Sequence, residues 1–427
     1  MLLYVDEISV RLVYTLDFIF REHGLEYQLT NDKLFFSSYE GIKLAYSEFE
    51  FENASALIPA GLLFEEYFRV NVRIEKGSWN GTECLRIDAI DDPLAAIFYV
   101  LSRYEEYHPR FLDDHGRFTA SESVQRKFGW LHLQIVERWI EAFFMIYAPG
   151  YSERLIADRQ LIPIPSFDID NTYAYKWKEG WRSWLSTAKD LLYNNKNRLK
   201  ERGVVQNGEQ NDPFDSFDEI RSVQQNFPET RIFWHLGDFG KYDANISWQD
   251  PRHQAFIREF AQFGSVGLHP SYASNYSDDK LLNEVNRIQM ITGKVGKESR
   301  QHFLKLNLPK TYLRMIEQGF ERDFTMGYAD DYGFRAGTAH EHCFFDLLTN
   351  KVYPEYRVVP FCYMEGTLLE YKGLTIDESC QAVDKLVEEV KRYGGVFCFI
   401  WHNETLAEAG KWKGWKKVFD FTLERLK

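Results

Sequence analysis

The chain has 427 residues, more than one hydrophobic core usually fills, and its 44% hydrophobic and 27% charged residues exclude a largely disordered chain. Acidic residues outnumber basic ones by 64 to 51 for a formal charge of −13, which opposes general binding to phosphate backbones or anionic membranes. Cys84, Cys343, Cys362, Cys380 and Cys398 are odd in number and lack CxxC spacing, against both a disulfide framework and a thiolate zinc site.

The first residues meet Asp6, Glu7 and Arg11 before any apolar run reaches signal-peptide length, and no stretch approaches a membrane span, so a cytoplasmic protein is expected. Over the first 150 residues, LEYQLT, KLFFSS and FRVNVRIE read as short strands. A helix is expected at Pro93–Tyr107 (PLAAIFYVLSRYEEY), capped by Asp91 and Asp92, and another over about Leu131–Ile146. The segment PGYSERLIADRQ then links to something different. We expect a smaller α+β domain over residues 1–155; its residues carry no chemical motif and do not decide among shaping a site, binding substrate and dimerisation.

From residue 156 to 427, short apolar runs alternate with helical ones. LIPIPSFDID, TRIFWHLG, GSVGLHPS, ESRQHFLKL, DFTMGYAD, YRVVPFCYME and GGVFCFIWHN make seven candidate strands. LLNEVNRIQMITG, PKTYLRMIEQG and TIDESCQAVDKLVEEVKRYG carry caps, apolar periodicity and glycine stops. This alternation predicts parallel α/β architecture, most simply a distorted (β/α) barrel of about seven strands. Residues 203–216 (GVVQNGEQNDPFDS) read as a loop or insertion outside the core.

Polar residues fall at the C-terminal ends of these strands: Asp168, Asp170, His235, His269, His302, Asp330, Asp331, Glu365 and His402. In a β/α barrel such ends share one mouth, where active sites are built. Histidines and aspartates there suit a divalent metal with an open position for water; zinc is the first choice, and the N/O donors leave iron, cobalt, nickel and manganese open.

Four stretches carry a resemblance: SFDID (166–170), GLHPS (267–271), SRQH (299–302) and FIWHN (399–403) are similar, in order and strand placement, to the motifs of the NodB homology domain of polysaccharide deacetylases, carbohydrate esterase family 4. Together with GFRAGT (333–338) and SRYEEY (102–107), they look like an uncharacterised branch with an extra N-terminal domain. The resemblance implies that Asp168 is the general base, Arg300 the arginine that holds it, His402 the general acid, and Asp170 and His269 metal ligands. The family's second metal histidine falls at Ala273 here, so His302, ending the next expected strand, is proposed as the third ligand. The family's Asp-Asp pair is Asp-Ile-Asp, which period-two alternation still places on one side of a strand.

The implied activity is metal-dependent removal of an acyl group, above all an N-acetyl group, from an amino sugar or glycan precursor. Two alternatives stand beside it: a catalytically silent carbohydrate-binding or scaffold protein with a degenerate metal site, and an amidohydrolase of a non-sugar amide. Arg335, Glu365 and Asp330 are candidate substrate-binding residues, with Arg335 equally able to pair with Asp330 or Asp331. His235 is expected to be a packed histidine, and the HxH pair His340 and His342 to lie in a surface loop.

Overall fold

A computed structural model of the chain describes residues 1–178, 192, 195–294 and 296–427. Near the N-terminus, β1 (Leu2–Val5), β2 (Gln28–Thr30), β3 (Lys43–Tyr46) and β4 (Ser55–Leu57) form a parallel sheet in the order β2-β1-β3-β4. Next come β5 (Ile74–Trp79), β6 (Thr82–Ile87) and β7 (Ile90–Asp91), which are antiparallel. Asn80 and Gly81, at φ 47° and 82°, turn β5 into β6, as a two-residue Asn-Gly hairpin requires.

Of the expected N-terminal strands, LEYQLT supplies β2 and FRVNVRIE contributes only its end to β5. KLFFSS is a helix, Lys33–Ser38, because the Asp32 carboxylate accepts from the amides of Leu34 and Phe35 and caps it. Asp92 caps the fully buried helix Pro93–Leu101 in the same way while also accepting from Tyr46 Oη at 2.6 Å. Side chains from Leu3 to Leu155 build one apolar core, which Phe345 and Leu347 join from far along the chain.

The large sheet holds β8 (Leu161–Ile169), β9 (Arg231–Trp234), β10 (Ser265–Leu268), β11 (Glu298–Ser299), β12 (Arg322–Asp323), β13 (His342–Asp346), β14 (Lys351–Val358), β15 (Tyr363–Met364) and β16 (Gly395–His402). Its order is β13-β14-β12-β11-β10-β9-β8-β16-β15, and every neighbouring pair except β13 and β14 is parallel. Parallel neighbours need crossovers, and helices such as Pro251–Phe263, Asp278–Thr292 and Ile376–Tyr393 supply them. The chain is thus mixed α/β with a large, parallel-rich sheet. Among the described residues no strand pairing joins β13 to β15.

Period-two alternation divides the sheet's faces. Ile164 of β8, Phe233 of β9 and Val396, Cys398 and Ile400 of β16 meet Phe324, Val359 and Phe361 in one small apolar cluster. Their odd-even neighbours Phe167, Ile169, Ile232, Trp234, Phe397, Phe399 and Trp401 enter the larger core beneath the helices. Asp168 and His402 share parity with the inner set, and the strand register sets them directly opposite each other.

Several sequence expectations change in detail. ESRQHFLKL contributes only two ladder residues and DFTMGYAD only Asp323, and YRVVPFCYME divides between β14 and β15. The first is cut short because Phe303 and Leu304 take positive φ, 61° and 53°, just after His302. The HxH pair divides: His340 is half-buried in the loop before β13, whereas His342 opens that strand and is 3% exposed. Residues 203–216 are tied in: the helix Lys196–Gln206 runs into them, and Asp212 accepts from the amides of Ala174, Tyr175 and Lys176. All five cysteines are free, and no helix among the described residues is long and apolar enough to cross a membrane.

Candidate active site

At the ends of β8, β9, β10, β11 and β16 the inner-face positions turn polar, and a cavity of about 200 Å³ opens there. Asp168, Asp170, His269, His302, Glu365 and His402 all line it. Arg300, with no exposed surface, donates from Nη1 to Asp168 Oδ1 at 2.9 Å and from Nε to the Phe324 carbonyl at 2.9 Å. Its guanidinium carbon lies 4.6 Å from the centre of the Phe233 ring, so the arginine is held on both sides.

Hydrogen bonds fix which nitrogen of each histidine faces Asp170. His269 Nδ1 lies 2.6 Å from the Arg300 carbonyl, an acceptor only, so Nδ1 carries the proton and the Nε2 lone pair faces Asp170 Oδ1 at 3.1 Å. His302 Nδ1 lies 3.0 Å from Asp243 Oδ1, leaving Nε2 facing Asp170 Oδ2 at 3.3 Å. Two imidazole lone pairs therefore point at one carboxylate, and Asp170 Oδ1 is buried without a hydrogen-bond partner. Acceptor against acceptor at such distances calls for a cation between them.

Asp170, His269 and His302 each offer a donor atom within 4.8 Å of the others, and two imidazoles with one carboxylate suit zinc or a similar divalent ion. The Nδ1–H groups of both histidines are held by a carbonyl or a carboxylate, the usual outer support of metal-ligating imidazoles. Without such an ion, a proton takes its place: burial opposes charge on His302, but Asp170 and Asp243 outweigh it and raise its pKa to about 9. Burial likewise opposes ionisation of Asp170, and His302 and His269 overcome that to hold its carboxyl well below the usual range.

Asp243 escaped the sequence reading. It sits in the loop KYDANIS, at no strand end, with no local pattern to mark it. Its Oδ1 accepts from His302 Nδ1, from His235 Nε2 at 3.1 Å and from the Tyr272 amide at 2.7 Å, while Oδ2 accepts from the Ala273 amide at 3.0 Å. His235 is fully buried, and burial with nearby His302 lowers its pKa to about 3, so it serves as a neutral hydrogen-bond donor. Glu284, on the helix Asp278–Thr292, was missed too; it accepts from Ser271 N and Oγ at 2.8 and 2.5 Å, fixing the chain two residues beyond His269.

His402 closes the opposite side. Its Nδ1 donates to Glu365 Oε1 at 2.6 Å, and that oxygen also accepts from the His402 amide at 3.0 Å and Thr405 Oγ1 at 2.8 Å. His402 Nε2 faces the cavity, 3.7 Å from Asp170 Oδ2. Burial opposes its protonation, yet Glu365, Asp170 and Asp168 together raise its pKa well above the ordinary histidine value. The arrangement thus offers a carboxylate, a proton-bearing imidazole and a cation-binding triad around one space.

Two expected substrate-binding residues lie elsewhere. Arg335 is 2% exposed, donates to Glu106 and the Gly327 carbonyl, and does not line the cavity. It pairs with neither Asp330 nor Asp331. GFRAGT and SRYEEY instead meet each other: Glu106 receives both Arg335 and Arg103, and Arg103 Nη2 reaches Tyr328 Oη at 3.0 Å. Asp330 accepts from the Ala120 amide at 3.1 Å, and Asp331 receives Lys372 at 2.9 Å, both away from the cavity. Arg117, from the N-terminal stretch, does line it, through bonds to Asp113, the Phe303 carbonyl and Tyr371 Oη.

The fold and site define an α/β protein with a candidate Asp-His-His cation centre at the ends of parallel strands. Residues 1–148 match a family of unknown function, DUF7033. No curated protein matches the chain. Among solved structures, it is similar to a putative polysaccharide deacetylase from Mycobacterium smegmatis, at 13% identity and TM-score 0.39, covering 62% of this chain and 84% of that one. It is also similar to a PuuE allantoinase, at 11% identity and TM-score 0.37, with coverages of 62% and 84%.

Proposed function

We propose that the chain is a metal-dependent hydrolase that removes an acyl group, foremost an N-acetyl group, from an amino sugar or glycan precursor, with zinc as the first-choice metal. The observation that carries this reading is the turning of two histidine Nε2 atoms onto Asp170, in the cavity that also holds Asp168 and His402. Asp170, His269 and His302 would hold the ion, which when bound polarises an acyl oxygen and favours attack by water.

The chain's own residues account for the proton transfers. Asp168 takes a proton from the attacking water, and Arg300 keeps its carboxylate oriented by occupying Oδ1. His402 delivers a proton from Nε2 to the departing nitrogen, and Glu365 holds the ring through Nδ1 so that Nε2 faces the cavity. Water adds across the C–N bond, giving an amine and a carboxylic acid.

An apolar core drawn mainly from the first 155 residues, with Phe345 and Leu347 joining it, supports treating residues 1–155 and 156–427 as two domains. Arg117 supports a role for the first in shaping the cavity of the second. Five free cysteines suit a reducing cytoplasm. The sugar preference rests on the resemblance of SFDID, GLHPS, SRQH and FIWHN to the deacetylase motifs.

Acetate release from acetylated amino sugars and from simple linear and cyclic amides tests the reading. Turnover of an acetylated sugar that disappears in Asp168→Asn, with metal content unchanged, is the expected result. Fully metal-loaded protein that releases no acyl group from any of these compounds would refute it.

A further inference from the structure

Outside the cavity, a second group of imidazoles and a carboxylate converges where residues of the first 155 meet the sheet-bearing part. His23 ends the short turn Arg21–His23, Glu137 lies in the helix Ile135–Tyr147, and His340 precedes β13. His23 Nδ1 lies 2.9 Å from the Phe18 carbonyl, so it carries the proton, and Nε2 faces Glu137 Oε2 at 2.9 Å. His340 Nε2 lies 3.9 Å from the same oxygen, and the two imidazole centres are 4.8 Å apart. His340 Nε2 also donates to the Tyr393 carbonyl at 3.3 Å, a bond that an ion at this nitrogen would replace.

Glu137 is 2% exposed and accepts from Thr338 Oγ1 at 2.7 Å through its other oxygen. Among the described residues its partners are His23, His340 and Thr338, with no lysine or arginine. A buried carboxylate needs a counter-charge. Without an ion, a proton on His23 satisfies the 2.9 Å contact and His340 Nε2 donates to the Tyr393 carbonyl; an ion would take up both Nε2 lone pairs in place of those two protons. A cation about 2 Å from each donor, with donors then about 3.4 Å apart, would use all three at close to their present spacing. Both the Nδ1–H of His23 and the second oxygen of Glu137 are held from outside, the support a ligand set requires.

We propose that His23, Glu137 and His340 bind a second divalent metal ion of zinc type, one that ties the N-terminal 155 residues to the rest of the chain. This site shares no residue with the Asp170 centre. Glu137 reaches across to Thr338, three residues beyond Arg335, which itself grips Glu106. The ion is therefore a clamp on the contact between the two parts and takes no share in turnover. The side of His340 that keeps 21% of its surface exposed is the route by which the ion enters.

Zinc titration of the metal-free full-length chain, with elemental analysis, tests this. We expect two zinc ions per wild-type chain and one per His269→Ala/His302→Ala chain. Adding His340→Ala to that double variant should weaken the remaining ion by more than about tenfold. Zinc should raise the melting temperature of the double variant and not that of the triple variant, with circular dichroism reporting that both fold; if the triple variant does not fold, His340→Gln in the same background replaces it. A double variant that folds and holds no zinc, or a third substitution that leaves zinc affinity unchanged, would overturn the second site. A double variant that holds as much zinc as wild type would count against the Asp170 centre instead.

Discussion

His302 donates from Nδ1 to Asp243 Oδ1 across 3.0 Å, and that single bond decides which of its nitrogens faces Asp170. Asp243→Asn loses the charge and presents either oxygen or nitrogen to His302, so Nε2 is no longer held as a lone pair. Metal affinity at the Asp170 centre should fall about 10- to 100-fold, as removal of such outer partners does elsewhere. A chelator competition measures it. His235→Gln, which keeps a donor toward Asp243, should fall by less.

Arg300 and Asp168 are both buried, and Arg300 Nη1 supplies the carboxylate's close charged partner at 2.9 Å. Arg300→Ala leaves that carboxylate uncompensated and should cost about 3–5 kcal/mol of folding stability. Asp168→Leu in the same chain should recover part of the loss, because the pair then disappears together. Urea unfolding of the two variants gives the comparison.

Glu365 is the first cause that raises the pKa of His402 against the effect of burial. Glu365→Gln keeps an acceptor for Nδ1 but removes the charge, so His402 should lose its proton at lower pH. Activity that depends on protonated His402 is present below its pKa and lost above it. The alkaline limb of the pH–kcat profile should therefore move to lower pH in Glu365→Gln, with metal content unchanged.

Burial lowers the pKa of His253 from 6.5 to about 4, and its Nε2 lies 2.9 Å from Thr172 Oγ1, two residues beyond Asp170. A depressed histidine pKa contributes stability that is present above pH 6.5 and lost as pH falls toward 4. The size should be about 3 kcal/mol, since each tenfold loss of proton affinity on folding is worth roughly 1.4 kcal/mol. His253→Gln should flatten the fall in stability between pH 6.5 and 4, as thermal melts across that range would record.

Much of the site was legible because alternation along a strand needs no tertiary knowledge. Once LIPIPSFDID and GGVFCFIWHN are read as strands, Asp168, Asp170 and His402 share a face with Ile164 and Ile400. His269 follows from a short apolar run, GSVGLH, that ends in histidine, and His302 from the next expected strand and the resemblance of SRQH to a deacetylase motif. What stayed hidden depends on contacts between distant segments. Asp243 and Glu284 are ordinary acids in a loop and on a helix, and nothing local says that one meets His302 and the other Ser271. Arg335 looked available for a substrate because its partner Glu106 is 229 residues away. KLFFSS has the composition of a strand, but the cap at Asp32 makes it a helix. The strand through SRQH is short because Phe303 and Leu304 turn in a left-handed conformation that no residue type there announces.

The central claim is that Asp170, His269 and His302 close around one divalent ion. Elemental analysis of His302→Ala beside His269→Ala, each compared with the parent chain, tests it most directly. We predict that each variant carries one ion fewer per chain than the parent. A His302→Ala chain that keeps the parent's full complement while His269→Ala loses an ion would contradict the account.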